Sequence, residues 1–364
     1  MARHIAANFV NLLIVLLLGA GIGFYWAKNE FSATGPLKES IYIEVPRGGS
    51  VSRLSRALED QGAVSFGIIM RVAANYNGQA AQLKFGNYEI PAGASMADIL
   101  NIVTKGGAGS FRFLASYRIG IRSAKLVLNE REPGASESKK VLEFAAGEEI
   151  PSAYQKLVDA KTPIVYRVTA AEGVTSWQIV ESLKKADFLG GEVDGVPPEG
   201  MLAPDTYEVR RGTLISEVID QMFDAQTRIL AEEWANRAGD LPFDTPEAAL
   251  SLASIIEKET GVAEERAEVA AVFVNRLNKG MKLQMDSTVE YGLTEGQGFL
   301  NRGLRRSELS KKTPYNTYII KGLPPGPIGN PGRLAIRATV NPNTSNNLFF
   351  VADGTGGHVF AKTN

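Results

Sequence analysis

The longest run of apolar positions lies close to the N-terminus. Residues 9–27 are apolar apart from Asn11, and aromatic side chains occupy positions 24–26 at the far end of the run. At a rise of about 1.5 Å per residue, such a helix covers the roughly 30 Å hydrocarbon core of a bilayer, and aromatic rings favour the interface. We therefore predict a transmembrane signal-anchor over residues 8–27, preceded by a cytoplasmic segment of residues 1–7.

A cleaved signal peptide is the alternative explanation of this run. The apolar part of a signal peptide is usually shorter, at about 7–15 residues, and a small-x-small cleavage site follows it. No convincing site of that kind follows Trp26. The prediction is therefore a retained single-pass anchor in a bacterial inner membrane, with residues 28–364 in the periplasm.

Four segments beyond the anchor share a strand–turn–helix pattern, namely residues 41–64, 88–107, 166–189 and 207–223. Each begins with alternating apolar and polar positions, turns through glycine, and continues with apolar positions at helical spacing after a Ser or Thr. Strand–turn–helix is also a common supersecondary unit. For the segments at residues 166–189 and 207–223, which match the pattern less closely, chance similarity and a true internal repeat are equally good explanations.

The first two copies match most closely, because both contain the turn sequence Pro-x-Gly-x-Ser. Ser50 and Ser95 are predicted N-caps, since a serine hydroxyl accepts a hydrogen bond from an amide of the first helical turn. Together the two copies predict a small β-α-α-β module over residues 40–106. Its pattern is similar to LysM, a fold that binds glycans rich in N-acetylglucosamine, although a fold alone does not establish binding.

Residues 107–165 break this pattern. A Gly-rich linker begins the segment, a charged stretch rich in Pro, Gly and Ser covers residues 130–140, and alternating positions between them predict strands. We expect a linker and a small β insertion without chemistry of its own, followed by a mixed α+β domain over residues 166–364. The predicted fold class is α+β.

Composition narrows the possible chemistry. The 39 Lys and Arg residues against 40 Asp and Glu residues give a net charge of −1, which argues against nucleic acid as the partner. The chain has no cysteine, and its two histidines are His4 and His358. Thiol nucleophiles, thiolate metal sites and multi-histidine zinc sites are therefore excluded, and a Ser-His-Asp triad would depend on His358 alone. We expect carboxylate chemistry without a metal or a cofactor.

A helix that begins at Thr245-Pro246 carries the leading candidate acid. The apolar positions of one face continue to Glu259, whereas Glu257 lies about 160° away; this face comprises Ala248, Ala249, Leu252, Ile255 and Ile256. A carboxyl on a buried face has a raised pKa and can act as a general acid. The alternative is that the helix frays before Gly261 and leaves Glu259 in solvent. Helix geometry alone does not decide whether Glu259 is buried or exposed to solvent.

A second helix over residues 263–278 is predicted to end at Gly280, and a polar and aromatic tract follows it. The tract leads into a loop rich in Pro and Gly over residues 322–332. Amide, hydroxyl and aromatic groups are the components of a sugar-binding cleft. An ordinary surface loop is the alternative, but it would not usually combine so many of these groups.

Several motifs in this region occur together in one known family. In chain order they are ASIIEKET at 253–260, LQMDSTVEYG at 283–292, YNTY at 315–318, GLPPG at 322–326 and FVADGTGGH at 350–358. With these motifs, the chain resembles the MltG (YceG-like) endolytic murein transglycosylases over nearly its whole length. Met285 and Ser287 depart from the family pattern, which usually has a small hydroxyl residue and proline there.

The resemblance implies a function and a site. Glu259 matches the catalytic acid of the family, and the substrate is peptidoglycan, cut at the bond from N-acetylmuramic acid to N-acetylglucosamine with formation of a 1,6-anhydro end. It also implies work beside peptidoglycan synthases, ending the elongation of nascent glycan strands. The residues expected to contact the substrate are Gln284, Asp286, Thr288, Tyr315, Asn316, Thr317 and Asn330.

Two other functions remain open at this point. A membrane-tethered peptidoglycan-binding scaffold without turnover would suit the anchor and the LysM-like module equally well. A muramidase, which hydrolyses the same bond with water, would use a similar acid. A pyridoxal-phosphate lyase is disfavoured, because no phosphate cradle accompanies a candidate lysine.

Overall fold

The computed structural model describes residues 2–46, 48–84, 86–106, 111–132, 134–135, 137–354 and 356–363. The chain forms two compact units. The first comprises Met1–Leu114, Asn129–Val141 and Leu157–Ile164, and the second comprises Ala115–Leu128, Leu142–Lys156 and Val165–Asn364.

The first unit begins with a single long helix, α1 (Ala2–Ser32). Its segment Leu12–Ser32 contains an 18-residue window with a mean hydropathy of 1.5 and is long and apolar enough to cross a membrane. The predicted apolar helix is therefore confirmed, and it extends beyond residues 8–27 at both ends. Its last turn belongs to the fold of the unit, since Phe31 packs against the buried core.

Residues 41–90 of this unit have the β-α-α-β order predicted from the repeated turns. Strands β1 (Ile41–Val45) and β2 (Gly86–Ile90) pair antiparallel, and helices α2 (Val51–Asp60) and α3 (Gly67–Tyr76) lie between them in sequence. A short 3-10 helix (Gln79–Gln82) precedes β2, and α4 (Met96–Asn101) continues into a π-helical turn (Ile102–Gly106). The order is confirmed, while a relation to LysM stays a prediction.

Both predicted serine caps of this unit are present. The Ser50 hydroxyl accepts a hydrogen bond from the Arg53 amide at 3.3 Å. Ser95 and Asp98 form a reciprocal capping box at the start of α4. Since each hydroxyl satisfies a first-turn amide without a partner inside the helix, each cap stabilises its helix by about 1 kcal/mol.

The predicted β insertion is part of a larger sheet. Strands β3 (Phe113–Ile119), β4 (Ala124–Glu130) and β5 (Lys139–Ala145) join β6 (Ile164–Ala170) and a later strand, β8 (Thr206–Val209). The order across the sheet is β5-β4-β3-β6-β8, and β6 pairs antiparallel with β8. The expectation of a separate insertion is therefore wrong, because pairing between β3 and the distant β6 has no local signature in the sequence. A small parallel pair, β7 (Leu189–Gly190) and β9 (Thr213–Leu214), accompanies it.

Helices make up most of the remaining second unit. They are α5 (Ser152–Asp159), α6 (Ser176–Lys184), α7 (Ile215–Ala235), α8 (Pro246–Glu259), α9 (Arg266–Asn278), α10 (Asp286–Thr294), α11 (Arg306–Leu309) and α12 (Arg333–Val340), with a 3-10 turn at Ala263–Glu265. A hairpin of β10 (Phe349–Ala352) and β11 (His358–Ala361) follows. Helix α8 lies at the centre, because its residues from Ala249 to Ile256 are all buried against neighbouring helices.

Candidate active site

Helix α8 begins where the sequence indicates. The Thr245 hydroxyl accepts a hydrogen bond from the Ala248 amide at 3.2 Å, and Pro246 occupies the first helical position. The helix continues to Glu259, so the alternative of a frayed end is wrong. A carboxyl in the last turn faces the negative end of the helix dipole, which favours its protonated form.

The sequence predicts that Glu259 lies on the buried face of α8 and Glu257 on another. In the structure, the helix face does not separate the two acids. The helix is buried all round, and the Glu257 side chain is only 3 % exposed. Burial raises the pKa of the Glu257 carboxyl, as it does for Glu259. The prediction that only Glu259 lies on a buried face is therefore wrong, because a central helix has no solvent side on which the second carboxylate could lie.

Hydrogen bonding separates the two acids. One Glu257 oxygen contacts Arg266 at 3.2 Å, and the other accepts the Gly332 amide at 2.9 Å. Arg266, whose side chain is 7 % exposed, also contacts Glu172 at 3.3 Å. Glu257 is thus a buried ion-pair partner that joins α8 to the start of α9 and to the loop before α12.

Glu259 has a different environment. Within the described ranges, no group hydrogen-bonds or ion-pairs with its half-buried carboxyl. Burial raises the pKa of Glu259 and is the largest effect. The charge of His358 lowers this pKa, that of Asp286 raises it further, and that of Arg276 lowers it. A carboxyl whose pKa is raised and which has no hydrogen-bond partner inside the protein is available to donate a proton to a ligand.

Two of the predicted contact residues have exposed side chains in the segment before and at the start of α10. Asp286 accepts a hydrogen bond from the Tyr318 hydroxyl at 2.7 Å, and its charge acts on Glu259. Gln284 has φ +57°, a left-handed conformation that is uncommon outside glycine. Such a conformation costs about 1 kcal/mol or more and is concentrated at functional sites, which supports a role for this segment in binding.

Buried polar groups hold this segment in place. Arg276 donates to the Leu283 carbonyl at 2.7 Å, and the Gln284 amide donates to the Thr317 carbonyl at 3.2 Å. The Thr317 hydroxyl accepts the Met285 amide at 2.9 Å and contacts the Thr288 hydroxyl at 2.8 Å. These bonds maintain the strained backbone at Gln284.

Four of the predicted contact residues have no exposed surface. They are Thr288, Asn316, Thr317 and Asn330. Asn316 donates to the carbonyls of Leu309 and Lys311, and its side-chain oxygen accepts the Tyr318 amide. Asn330 accepts the Leu202 amide at 2.8 Å. Since their polar atoms are engaged within the protein, we reassign these four residues from substrate contact to a structural role.

Tyr315 lies half-buried in a second polar cluster. Its ring is 4.8 Å from that of Tyr291, whose hydroxyl donates to Glu199 at 3.2 Å. Burial raises the pKa of Glu199 and lowers the pKa of Lys258. Glu199 has no signal in the sequence, because no motif precedes it and tertiary packing alone brings it beside α10.

His358 was also missed as a site residue. Its Nδ1 lies 2.8 Å from Glu265, and its charge lowers the pKa of Glu259. The FVADGTGGH motif was a signal for it, but the motif did not indicate which carboxylates it would contact. Among the residues that the structure describes, no group of three or more His, Asp or Glu side chains is arranged to hold a metal.

Comparison with known proteins places this geometry in a family. The profile of the YceG-like family matches residues 43–364. This chain belongs to the YceG-like family. The match covers α8, the segment around Gln284 and the hairpin that carries His358, so every group described above lies within it.

Curated relatives of this YceG-like chain are named endolytic murein transglycosylases. The one from Streptococcus pneumoniae serotype 2 is 27 % identical over 387 aligned positions, which cover 99 % of this chain and 64 % of the relative. The one from Bacillus subtilis strain 168 is 27 % identical over 327 positions, which cover 90 % and 82 %. The chain thus spans 64 % of the length of its Streptococcus relative.

A solved structure is also similar. It is a yceG-like protein from Listeria monocytogenes, 26 % identical, with a TM-score of 0.45 and coverage of 90 % of this chain and 97 % of that one.

We expect Asp286→Asn to shift the pH dependence of any acid-catalysed reaction at this YceG-like site. The Asp286 charge raises the pKa of Glu259, so its removal lowers that pKa. A general acid acts in its protonated form, and the decline in rate at high pH therefore moves to lower pH. Rates of glycan cleavage measured against pH would show this shift.

Asp240→Asn serves as the control, because Asp240 is exposed and is not among the charges that act on Glu259. An unchanged profile in Asp286→Asn, or a shift to higher pH, would contradict the electrostatic role of Asp286.

Proposed function

We propose that this chain is an endolytic peptidoglycan lytic transglycosylase. It cleaves the β-1,4 bond from N-acetylmuramic acid to N-acetylglucosamine and leaves a 1,6-anhydro end. The observation that carries the proposal is the Glu259 carboxyl, because its pKa is raised, it has no hydrogen-bond or ion-pair partner among the described residues, and the charge of the exposed Asp286 acts on it. The names of the Streptococcus and Bacillus relatives support it.

One acid is sufficient for this reaction. Protonated Glu259 gives its proton to the glycosidic oxygen as the bond to C1 breaks. The muramoyl 6-hydroxyl then attacks C1, and the Glu259 carboxylate accepts the hydroxyl proton. The acid is regenerated and no water is consumed.

Most glycosidases use a second carboxylate as nucleophile or to activate water. In the proposed reaction the attacking hydroxyl belongs to the sugar itself. Because it is tethered close to C1, its effective concentration is high, and a second carboxylate is not needed to activate it. The transition state carries positive charge near C1, which the Asp286 carboxylate stabilises. Gln284 and Tyr315 are proposed to hold the sugars.

The long N-terminal helix bears on where this reaction takes place. Its segment Leu12–Ser32 is apolar enough to cross a membrane, and its last turn packs into the core of the first unit. We propose that α1 is a retained anchor in the bacterial inner membrane, with the rest of the chain in the periplasm. An enzyme anchored there meets new glycan as it emerges, and is proposed to end strand elongation beside peptidoglycan synthases.

Product analysis tests the reaction. The full chain, in detergent or vesicles, is incubated with defined uncrosslinked glycan strands, and the products are measured by mass spectrometry. We expect strands cut at internal positions, with new ends lighter by one water than ordinary reducing ends.

Reducing ends without anhydro ends would make the chain a muramidase. Strand binding without any cleavage would make it a scaffold. Release of only terminal disaccharides would contradict endolytic cleavage.

A further inference from the structure

Helix α3 has apolar side chains on two opposite faces. Met70 and Ala74 are fully buried in the core of the first unit. On the other side, Ile68 is 53 % exposed, Val72 60 % and Tyr76 89 %. Because these three positions are spaced four residues apart, they form one continuous stripe along the helix. We call this stripe the outer face of α3.

The outer face continues into a groove against α1. The groove has a volume of about 620 Å³ and is lined by both helices, with Phe24, Phe31 and Val72 among its apolar residues and Lys28 at its edge. At the start of α3, the Phe66 ring contacts Trp26 edge-on, at 5.2 Å between centroids. The exposed apolar surface of α3 is therefore continuous with the helix that we propose to be the membrane anchor.

A contiguous exposed apolar surface indicates a protein or membrane contact, and three features favour the membrane. One wall of the groove is α1 itself. Residues 61–88, which contain α3, include Arg71 and Lys84 but no Asp or Glu, and this suits an anionic headgroup layer. The aromatic rings of Trp26 and Tyr76 have the amphipathic character of side chains that prefer the bilayer interface.

We propose that lipid acyl chains of the bilayer that holds α1 cover the outer face of α3 and fill the groove. Helix α3 then lies in the interface, and the module of residues 40–106 rests on the membrane surface beside its own anchor. Lys28 and Arg71 lie near the phosphate groups of the same lipids. The inference rests on the proposed anchoring of α1 and goes beyond it, since an anchor alone does not require the module to touch lipid.

The absence of native cysteine allows a direct test. Single cysteines are introduced into the full chain by Val72→Cys on the outer face, Leu17→Cys in α1 and Asp60→Cys at the exposed end of α2. Each is spin-labelled and reconstituted in vesicles of phosphatidylethanolamine with phosphatidylglycerol. The collision rates of each label are measured with oxygen, which concentrates in lipid, and with a nickel chelate, which stays in water. Their ratio reports whether the label is surrounded by lipid or by water.

We expect the labels at positions 17 and 72 to favour oxygen over the chelate several-fold more than the label at position 60. Lipid contact at position 17 with water at position 72 would overturn the docking of α3 and leave the anchor intact. Water at position 17 would overturn the anchor itself.

Two further outcomes would replace lipid by another occupant of the outer face. If the label at position 72 is shielded from the nickel chelate, and this shielding decreases as the protein is diluted in lipid, a second copy of the chain covers the outer face. Protection that appears only when glycan strands are added would indicate a sugar ligand. Either result would overturn the proposal.

Discussion

Glu259→Gln is expected to lower glycan strand cleavage by about a hundredfold to ten-thousandfold, the usual contribution of a positioned general acid. The amide has nearly the same shape but cannot donate a proton to the leaving oxygen or later accept one from the 6-hydroxyl. Since Glu259 has no internal partner among the described residues, the variant should fold as the wild type does. Release of anhydro ends and the thermal unfolding curve are measured on the same preparation.

Glu264→Gln is the matched control for this experiment. Glu264 is an exposed acid in the 3-10 turn that follows α8, and its replacement should leave the rate unchanged. Wild-type turnover by Glu259→Gln would refute the assignment of the acid. Loss of turnover together with loss of folding would show that Glu259 has a structural role instead.

Glu257→Gln is expected to lower the free energy of unfolding by about 3 kcal/mol. The change leaves the buried Arg266 guanidinium without its buried carboxylate partner, with only the more exposed Glu172 in contact. The side-chain oxygen that remains in the variant still accepts the Gly332 amide. Chemical denaturation measures the effect, and the folded fraction should retain most of its specific activity.

Glu172→Gln provides the comparison, because Glu172 contacts the same Arg266 but its side chain is 41 % exposed. Exposed ion pairs contribute about 0–1 kcal/mol, so this variant should be much less destabilised than Glu257→Gln. A Glu257→Gln protein of full stability and no activity would point to Glu257 as the acid in place of Glu259.

Local sequence signals predicted the elements of this fold well. Thr245-Pro246 located the start of α8, and Ser50 and Ser95 located two other helices, because capping involves groups only a few residues apart. All four strand–turn–helix segments are present, including the two looser copies, which place β6 before α6 and β8 before α7. The second predicted helix is also present, with α9 ending at Asn278 and Gly280 in a left-handed conformation.

Partners that are distant in sequence were not predictable in the same way. The sheet brings β3 to β6, and the site brings α8 to the segment around Gln284 and to His358. The tract of polar residues was read as a set of substrate contacts, yet Thr288, Asn316, Thr317 and Asn330 point inward. A hydroxyl or amide that binds a ligand and one that supports a loop look alike in a sequence.

The sequence by itself determined which chemistry was possible. Without cysteine and with two histidines, the chain had carboxylates as its main candidates for acid–base chemistry, and the order of its motifs indicated its family. The motif resemblance pointed to Glu259, but only the tertiary structure gave a physical difference between Glu257 and Glu259. Both lie on a helix buried on every side, and both pKa values are raised by burial. The difference is that Arg266 and Gly332 engage Glu257, and this depends on contacts that no helical period encodes.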